Sequence, residues 1–475
     1  MKLYEDIKSV LSKNNVNLVV GSIYDLQQTC IDWYRGNVND FHYYTVTVNG
    51  KQVTKERKTM NAAKMICEDI TKLLWTEKTK IELDKPEDTK KLWTILDNKE
   101  NSFTVNFPTF IEKALAIGSG LLVEYMNDEG KTIIDYIDGN LIIPYKYTNS
   151  YIKGIITVSR FTEGINAKKV YYTQITYHEY DKGKYIRKNE LYKSKVENEL
   201  GKKVNFAEKF PNIKESDEKE TSTPYFQFFR PNIANNFDLS SPMGISVFAN
   251  SIDRLKSLDM KYDSFFDEFK LGKKRILVDP TAMKSTTTAD GEGNVRQVQY
   301  FDTNDEVYVG INGMEDQPVK EIDFSIKAQE HIDAINAELS WLSNNVGLGC
   351  NYYKFDGNSV KTAAEVISEN SKAFRTREHY AIILIDVVYD LVRVICDLNG
   401  IETKNIVITL DDSIIEDKNA QQMRDMQEVN AGLMSKKQYL LNRGYSEEQV
   451  EQELKQIQEE KMSTEEAFGF FGDEE

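Results

Sequence analysis

The stretch NNVGLGCNYYKFDGNSVKTAAEV, Asn344 to Val366, separates two segments of strong helical periodicity. Before it, apolar residues recur at alternating steps of four and three, at Ala328, Ile332, Ile335, Leu339, Leu342 and Val346. After it, a similar seam runs through Ala381, Leu384, Val388, Leu391, Ile395 and Leu398. Such seams are typical of helices that pack along another helix. The sequence therefore predicts two helices, 327–346 and about 362–398, joined by a loop rich in glycine and aromatic residues.

The segments before this pair predict a further long helix and a compact β segment. The helix, over about 243–270, is indicated by an apolar stripe at Phe248, Ile252, Leu255, Leu258, Tyr262, Phe265 and Phe269. Residues 271–326 then contain the strand-like runs KRILVD, VRQVQYFD, EVYVGI and VKEIDFSI. Their glycine-rich turn, TTTADGEGN, is typical of an exposed tip.

The first 240 residues predict helices mixed with antiparallel strands. HYYTVTVNGKQVTKER predicts a hairpin with an Asn49-Gly50 turn, and residues 59–75 predict a helix. After Gly118 come the strand-like runs LLVEYM, TIIDYI, KGIITVSRF, KVYYTQITYHEY and KYIRKNELYK, which indicate an antiparallel sheet region. The charged residues 201–224 are interpreted as an exposed loop or a boundary. We predict a helix-rich α+β protein of several domains.

The C-terminal part predicts one strand followed by short helices. The strand NIVITL comes after Gly400, which ends the long helix. Ser435 with Gln438, and Ser446 with Gln449, each fit a capping box, in which a serine accepts a hydrogen bond at the start of a helix.

The chain is acidic, with a formal net charge of −16. Residues 447–475 contain eleven acidic residues and two lysines, so more than half of the excess lies there. Affinity for nucleic acid comes mainly from cations that displace counterions from phosphates. The net negative charge therefore argues against a protein that binds DNA tightly, although DNA could move past such a surface without binding to it.

Composition also argues against a membrane segment and a bound metal. The most apolar run, AIILIDVVYDLVRVICDL over 381–398, is interrupted by four charged residues, which favours a buried helix over a membrane helix. No two cysteines have C-x-x-C spacing, and no histidine has a His or Cys partner at metal-ligand spacing. We therefore predict no membrane insertion and no cofactor.

One pair of carboxylates keeps an enzymatic alternative open. Asp411 and Asp412 follow the strand NIVITL and could bind a metal in a DNA nuclease. A loop that caps the following helix explains them equally well. Because no H-E-x-x-H, G-x-S-x-G or Cys/His arrangement occurs, we predict that the chain is not an enzyme, with the nuclease as the alternative.

The order of these elements resembles the portal proteins of long-tailed double-stranded DNA phages. Three motifs support the resemblance: ERKTMNAAKMICEDITKLLWTEKTKIEL near the N-terminus, TAAEVISENSKAFRTREHY after the loop, and LDDSIIEDK with VNAGLMSKKQYLLNRGYSEEQVEQELKQIQEE towards the C-terminus. The resemblance covers nearly the whole chain. The implied domains are a wing (1–240 and 362–410), a stem (241–270 and 327–346), a clip (271–326), a tunnel loop (347–361) and a crown with an acidic tail (411–475).

The resemblance also implies a function. Portal proteins form a dodecameric ring at one capsid vertex of the virion, through which double-stranded DNA is packaged, retained and ejected without sequence specificity. The implied partners are the terminase large subunit, head–tail connector or adaptor proteins, and the major capsid and scaffolding proteins. Assembly would take place in the cytoplasm of the bacterial host.

Specific residues follow from this resemblance. The tunnel loop would meet DNA through Asn351, Tyr352, Tyr353, Lys354 and Phe355. It would change shape at three glycines, whose lack of a Cβ leaves the backbone free to rotate: Gly347, Gly349 and Gly357. Alternatively, its aromatic residues merely pack between neighbouring helices in the ring. The stem seam would contact either a neighbouring copy or its own chain, through Ile332, Ile335, Leu339 and Leu342. In the clip, Lys284 and Arg296 are expected to dock partners.

Overall fold

The computed structural model describes the following residues: 6–7, 9–10, 22–48, 51–127, 129–149, 151–164, 169–272, 275–278, 285–289, 295–299, 308–310, 319–322, 325–355, 363–410, 425–443, 445 and 449–456. The chain divides into two compact units. The first comprises Met1–Val360 with Glu369–Leu410, and the second comprises Lys361–Ser368 with Asp411–Glu475.

The helices confirm the α+β class and the two seam helices. They are α1 (Ser22–Tyr34), α2 (Asn39–His42), α3 (Ala62–Leu74), α4 (Pro86–Leu96), α5 (Phe103–Ile117), α6 (Ile252–Leu271), α7 (Ala328–Asn345), α8 (Ala363–Asn399) and α9 (Lys436–Asn442). The bounds of α7 and α8 agree with the seams that predicted them. The cap predicted at Ser435 is also confirmed, because its hydroxyl accepts the Gln438 N–H at 3.1 Å.

The strands of the N-terminal part are β1 (Tyr43–Val48), β2 (Lys51–Glu56), β3 (Lys80–Leu83), β4 (Gly120–Met126), β5 (Thr132–Asp138), β6 (Ile142–Thr148), β7 (Tyr151–Glu163), β8 (Val170–Asp181), β9 (Lys184–Ser194), β10 (Lys202–Val204), β11 (Ser216–Glu220) and β12 (Phe226–Phe229). The predicted antiparallel region forms two sheets. One has the order β10-β9-β8-β7-β6, and the other has the order β12-β4-β5. Helix α5 buries Phe103 and Phe107, whose rings stack at 4.5 Å, in the main core.

The later strands are β13 (Arg275–Val278), β14 (Ser285–Ala289), β15 (Val295–Gln299), β16 (Tyr308–Gly310), β17 (Val319–Ile322) and β18 (Ile406–Thr409). Strand β13 pairs in parallel with β16 and antiparallel with β17, while β14 and β15 form a hairpin. The strand runs predicted in residues 271–326 are therefore confirmed. Strand β18 returns to the N-terminal part, where it pairs with β3.

The interpretation of residues 201–224 as a loop is wrong for two segments. Strands β10 and β11 both pair with β9, side by side along its edge. The sequence of β11, SDEKE, is almost entirely exposed, so it carries no apolar alternation. Its pairing depends on the backbone, helped by an ion pair across the strands between Lys184 and Glu218 at 2.8 Å. Hydrophobic periodicity cannot reveal such an edge strand.

The predicted start of the first stem helix, near 243, is also wrong. Helix α6 begins at Ile252, and the preceding apolar residues run as a buried segment against α5 and β4. The Val247 N–H donates to the Leu115 carbonyl at 3.1 Å. A Cβ on Gly244 would lie 2.2 Å from the Gly118 carbonyl oxygen, so this close approach requires glycine. Core packing therefore replaces the helical turn that the apolar spacing predicted.

One buried carboxyl makes stability depend on pH. Glu124 on β4 is buried, neither of its carboxyl oxygens has a hydrogen-bond partner, and burial raises its pKa from 4.5 to about 8. The folded state therefore holds this proton more tightly than the unfolded state does. The resulting stabilisation is complete below pH 4.5 and is lost as the pH rises towards 8.

We expect Glu124→Gln to flatten this part of the stability profile. Glutamine keeps the shape of the protonated carboxyl and has no charge to bury. Chemical denaturation at a series of pH values between 4.5 and 8 measures the effect. An equally steep decline in the variant and in the unsubstituted chain would contradict the assignment to Glu124.

Candidate functional site

The candidate site begins with α6 and α7, the two helices predicted to form the stem, which pack against each other. In the seam of α7, Ile335, Leu339 and Leu342 are buried in the main core, and Ile332 is half-buried. From α6, Leu255 and Leu258 belong to the same core. Within one chain, the predicted seam is therefore largely covered by the chain itself.

A buried carboxylate fixes the two helices relative to each other. Glu338 on α7 accepts a hydrogen bond from the Ser257 hydroxyl at 3.0 Å and pairs with Lys261, both on α6. Arg254 approaches its other oxygen at 3.4 Å. Burial alone would raise the pKa of Glu338, but the bonds from Lys261 and Ser257 outweigh burial and lower it. The ionised carboxylate therefore joins the helices at ordinary pH.

Helices α6 and α7 also expose apolar side chains along two separate stripes, which the seam did not predict. One stripe runs along a groove of about 590 Å³ between the helices that is lined mostly by charged and polar side chains; its apolar members are Met260, which is 53% exposed, and Ala334. Phe266 is 48% exposed, six residues after Met260 and therefore roughly 120° around the α6 axis. Trp341, on the Ala334 side of α7, is 58% exposed. The Arg254 guanidinium lies 5.5 Å from the Trp341 ring centroid, and the Tyr262 ring lies 5.0 Å from that of Phe266, so each of these rings is covered only in part.

The loop after α7 is attached to the start of α8 through backbone groups. Lys372 donates to the Asn344 carbonyl at 2.8 Å, and the Thr376 hydroxyl donates to the Gly347 carbonyl at 2.7 Å. Gly347 has φ +86°, and a Cβ there would lie 2.5 Å from the Thr376 Oγ1. Glycine is therefore required at 347 by both backbone conformation and space. Gly349 shares the positive φ, and Gly357 lies outside the described residues.

The aromatic residues of the loop pack inwards in the single chain. Tyr353 is only 7% exposed, and burial together with Asp69 on α3 raises its pKa. The Phe355 N–H donates to Asn336 Oδ1 at 2.7 Å, and its ring lies 5.9 Å from that of Phe265. Tyr352 is half-buried with its ring 5.0 Å from that of Tyr353. Within the single chain, the aromatic residues of the loop therefore pack against the chain's own helices.

The polar residues of the same loop point to solvent. Asn351 and Lys354 are both exposed, on either side of the packed tyrosines. Asn351 adopts φ +64°, a conformation that asparagine tolerates better than most residues. Among the described residues of this loop, Lys354 is therefore the exposed cation.

The remaining predicted residues are only partly described. Arg296 lies on β15, directly opposite Thr288 of β14, whereas Lys284 is outside the described residues. Asp411 and Asp412, the carboxylates of the nuclease alternative, also fall outside them. Across the part of the chain that is described, no group of three or more His, Cys, Asp or Glu could hold a metal ion. Nor does any helix there have the length and apolarity needed to cross a membrane.

Comparison with known proteins gives one extensive match. The profile of a family described as phage portal protein, SPP1 Gp6-like, matches residues 23–467. Similar solved structures include "Neck of native GTA particle computed with C12 symmetry", with 11% identity, 81% of this chain and 88% of that chain covered, and a TM-score of 0.40. Another, "Neck of empty GTA particle computed with C6 symmetry", has 10% identity, the same coverage and a TM-score of 0.40. No curated protein matches.

Proposed function

The chain belongs to the SPP1 Gp6-like phage portal family, and on that premise we propose that its copies close into a dodecameric ring that conducts double-stranded DNA. The family match over residues 23–467 carries this proposal, because it includes both predicted stem helices and the loop that follows the second of them. The ring sits at one vertex of the capsid and is assembled in the cytoplasm of the bacterial host.

The two exposed stripes of the stem support ring closure. A contact between two different surfaces of identical copies is heterologous, and it closes into a ring when the rotation between copies permits. The groove at Met260 and the ring of Phe266 are two such surfaces, on different sides of α6. We assign them to opposite sides of one contact between neighbouring copies. The mass of the assembled protein in solution tests this closure.

The loop supplies the contact with DNA through Lys354. An exposed lysine recognises phosphate by charge, so the contact carries no base information. We expect Lys354→Ala to reduce DNA retention while leaving the ring and its stability unchanged. The slope of log affinity against log salt concentration should fall by about 0.9 for each phosphate that the lysine no longer neutralises. The affinity of assembled rings for random-sequence duplexes, measured at several salt concentrations, gives this slope. An unchanged slope in the variant would show that Lys354 does not contact the phosphates.

The clip supplies the docking platform for the terminase large subunit and, later, for the head–tail connectors. Residues 271–326 contain short strands, and exposed sheet edges and tips are suited to binding partners. We expect the pair Lys284→Glu and Arg296→Glu to weaken terminase binding at least about tenfold without changing the mass of the ring. Pull-down by immobilised rings measures the weakening. Unchanged terminase binding would contradict the assignment of the docking platform to these residues of the clip.

The chain itself acts as a structural conduit in this proposal. Portal family membership points to a structural role, and the work of DNA movement falls to the terminase motor. No observation in the described residues favours the nuclease alternative at Asp411 and Asp412. The major capsid and scaffolding proteins are the remaining partners that we propose, at the wing.

A further inference from the structure

A cleft with a polar floor lies between the two sheets of the N-terminal part. Its volume is about 670 Å³, within the range of roughly 300–1,000 Å³ that is typical of ligand cavities. Strands β4 and β5 form one wall, and strands β7, β8 and β9 form the floor. In the register of the floor, Thr157 lies opposite Thr176, which in turn lies opposite Asn189. Residues directly opposite each other share a face, so these three side chains form one polar row.

The floor strands place their apolar side chains on the other face. Ile156 and Ile175 belong to a separate small core on that side of the sheet. Towards the cleft, the polar groups largely bond one another. The Thr176 hydroxyl donates to Asn189 Oδ1 at 2.9 Å, and His178 Nε2 lies 3.3 Å from the Thr157 hydroxyl. Two packed sheets normally meet through apolar faces, whereas this floor is a preformed polar surface.

One cation on this floor has no partner within the described chain. Arg187 on β9 is half-buried and forms no hydrogen bond or ion pair with any other described residue. Its neighbour across the strands, Asp217 on β11, pairs instead with Lys214 at 3.7 Å. On its other side lies His178, where burial, and then the charge of Arg187, lower the pKa from 6.5 to about 3, so that the imidazole stays neutral. Because a guanidinium fork matches a carboxylate or phosphate, Arg187 is available to an anion that enters the cleft.

The opposite wall provides an acceptor and an apolar surface. Asp135 on β5 lines the cleft, is exposed, and has no hydrogen bond or ion pair to another described residue. Tyr125 on β4 lies within electrostatic reach of both charges. Burial raises the pKa of Tyr125 to about 12, the charge of Asp135 raises it further, and the charge of Arg187 lowers it. The apolar part of the lining consists of Val123, Ile137, Leu141, Phe210 and Ile213.

We propose that this cleft binds a monocarboxylate that has an apolar body and an N–H donor. The carboxylate binds the Arg187 guanidinium, the N–H donates to Asp135, and the body packs on the apolar lining. A phosphate dianion fits less well, because its second negative charge is repelled by Asp135. An N-acyl amino acid has this chemistry, and so does the C-terminal end of a polypeptide. All of the lining residues come from one chain, so the site does not depend on ring closure.

Calorimetric titration of the full-length chain tests the cleft with defined probes. These are N-acetyl-leucine, an acetylated tripeptide that ends in leucine with a free carboxyl group, the same tripeptide as its amide, and inorganic phosphate. We expect at least one carboxylate probe to bind with a Kd of about 1 mM or tighter, and the amide and phosphate to bind at least about tenfold more weakly. No binding of either carboxylate up to about 10 mM, or equally tight binding of the amide or of phosphate, would overturn the proposal.

The two carboxylate probes distinguish the source of the ligand. A tripeptide affinity at least about tenfold above that of N-acetyl-leucine would identify the end of a polypeptide as the ligand, because residues before the last one then contribute to binding. A smaller difference would identify the free N-acyl amino acid. Either result supports a carboxylate site.

Substitutions place the binding in the cleft. Arg187→Gln should weaken binding of the carboxylate probe at least about tenfold, because it removes the cation that holds the carboxylate. Lys188→Gln is the matched control, since it removes the same charge from the next residue, which is exposed on the opposite face of β9, and it should leave the affinity unchanged. Asp135→Asn should strengthen phosphate binding, an effect that a purely structural role of Asp135 would not produce. Equal carboxylate binding by Arg187→Gln and by the unsubstituted chain would overturn the assignment to this cleft.

Discussion

Replacing Phe266 with glutamate should leave the chain folded but unable to close a ring. Phe266 is about half exposed in the single chain, so a charge there is solvated until a second copy covers it. Covering an unpaired carboxylate is strongly unfavourable. A cost of at least about 3 kcal/mol at each contact would lower the affinity between neighbouring copies more than a hundredfold. Every contact in a ring repeats this cost. Light scattering at micromolar concentration should therefore give the mass of a single chain.

The same contact can be disrupted from its other side. Met260→Glu places the charge in the groove, and we expect the same failure to assemble. Val105→Glu is the matched control, because it adds the same charge at an exposed apolar position outside the stem. Circular dichroism should show the helical content of all three variants unchanged. Rings of full mass in both stem variants would exclude these stripes from the contact between copies.

Replacing Tyr353 with alanine should destabilise the chain itself. Its side chain fills core space beside α3, and removal of a large aromatic group from a core costs about 3 kcal/mol or more. Tyr353→Phe should cost much less, because it keeps the ring and removes only the hydroxyl. Denaturant unfolding of the assembly-deficient Phe266→Glu background measures both without interference from ring dissociation.

Lys354 provides the control beside it in the sequence. Since Lys354 is exposed, Lys354→Ala should change the free energy of unfolding by less than about 0.5 kcal/mol. The two neighbouring substitutions thus separate packing from contact with DNA. If Tyr353→Ala proved as stable as Lys354→Ala, the inward packing of the tyrosine would not contribute to stability.

The sequence predicted the elements whose apolar spacing is regular. The bounds of α7 and α8 follow from their seams, and the clip strands follow from short runs of β-branched residues. It failed where tertiary packing decides the conformation. The segment before Ile252 has helical spacing but is held in another conformation by the approach of Gly244 to Gly118. Strand β11 has no apolar pattern at all, because its pairing with β9 uses the backbone.

The candidate site was predictable in position but not in detail. Glycine and aromatic content marked the loop after α7, yet nothing in the sequence separates the buried Tyr353 from the exposed Lys354 beside it. The lysine and threonine that attach the loop, Lys372 and Thr376, are spaced at i, i+4 on α8. Residues at i and i+4 are neighbours on any helix, so this spacing alone could not predict that Lys372 and Thr376 bind the carbonyl groups of the loop.

The mass of the unsubstituted chain in solution tests whether its copies close into a ring. Multi-angle light scattering on the purified full-length protein, at concentrations from nanomolar to micromolar, gives the number of copies per particle. The ring account predicts one discrete species of more than about ten copies at micromolar concentration, since a heterologous contact that closes stops growing. A stable single chain at micromolar concentration, or particles that grow continuously with concentration, would contradict it.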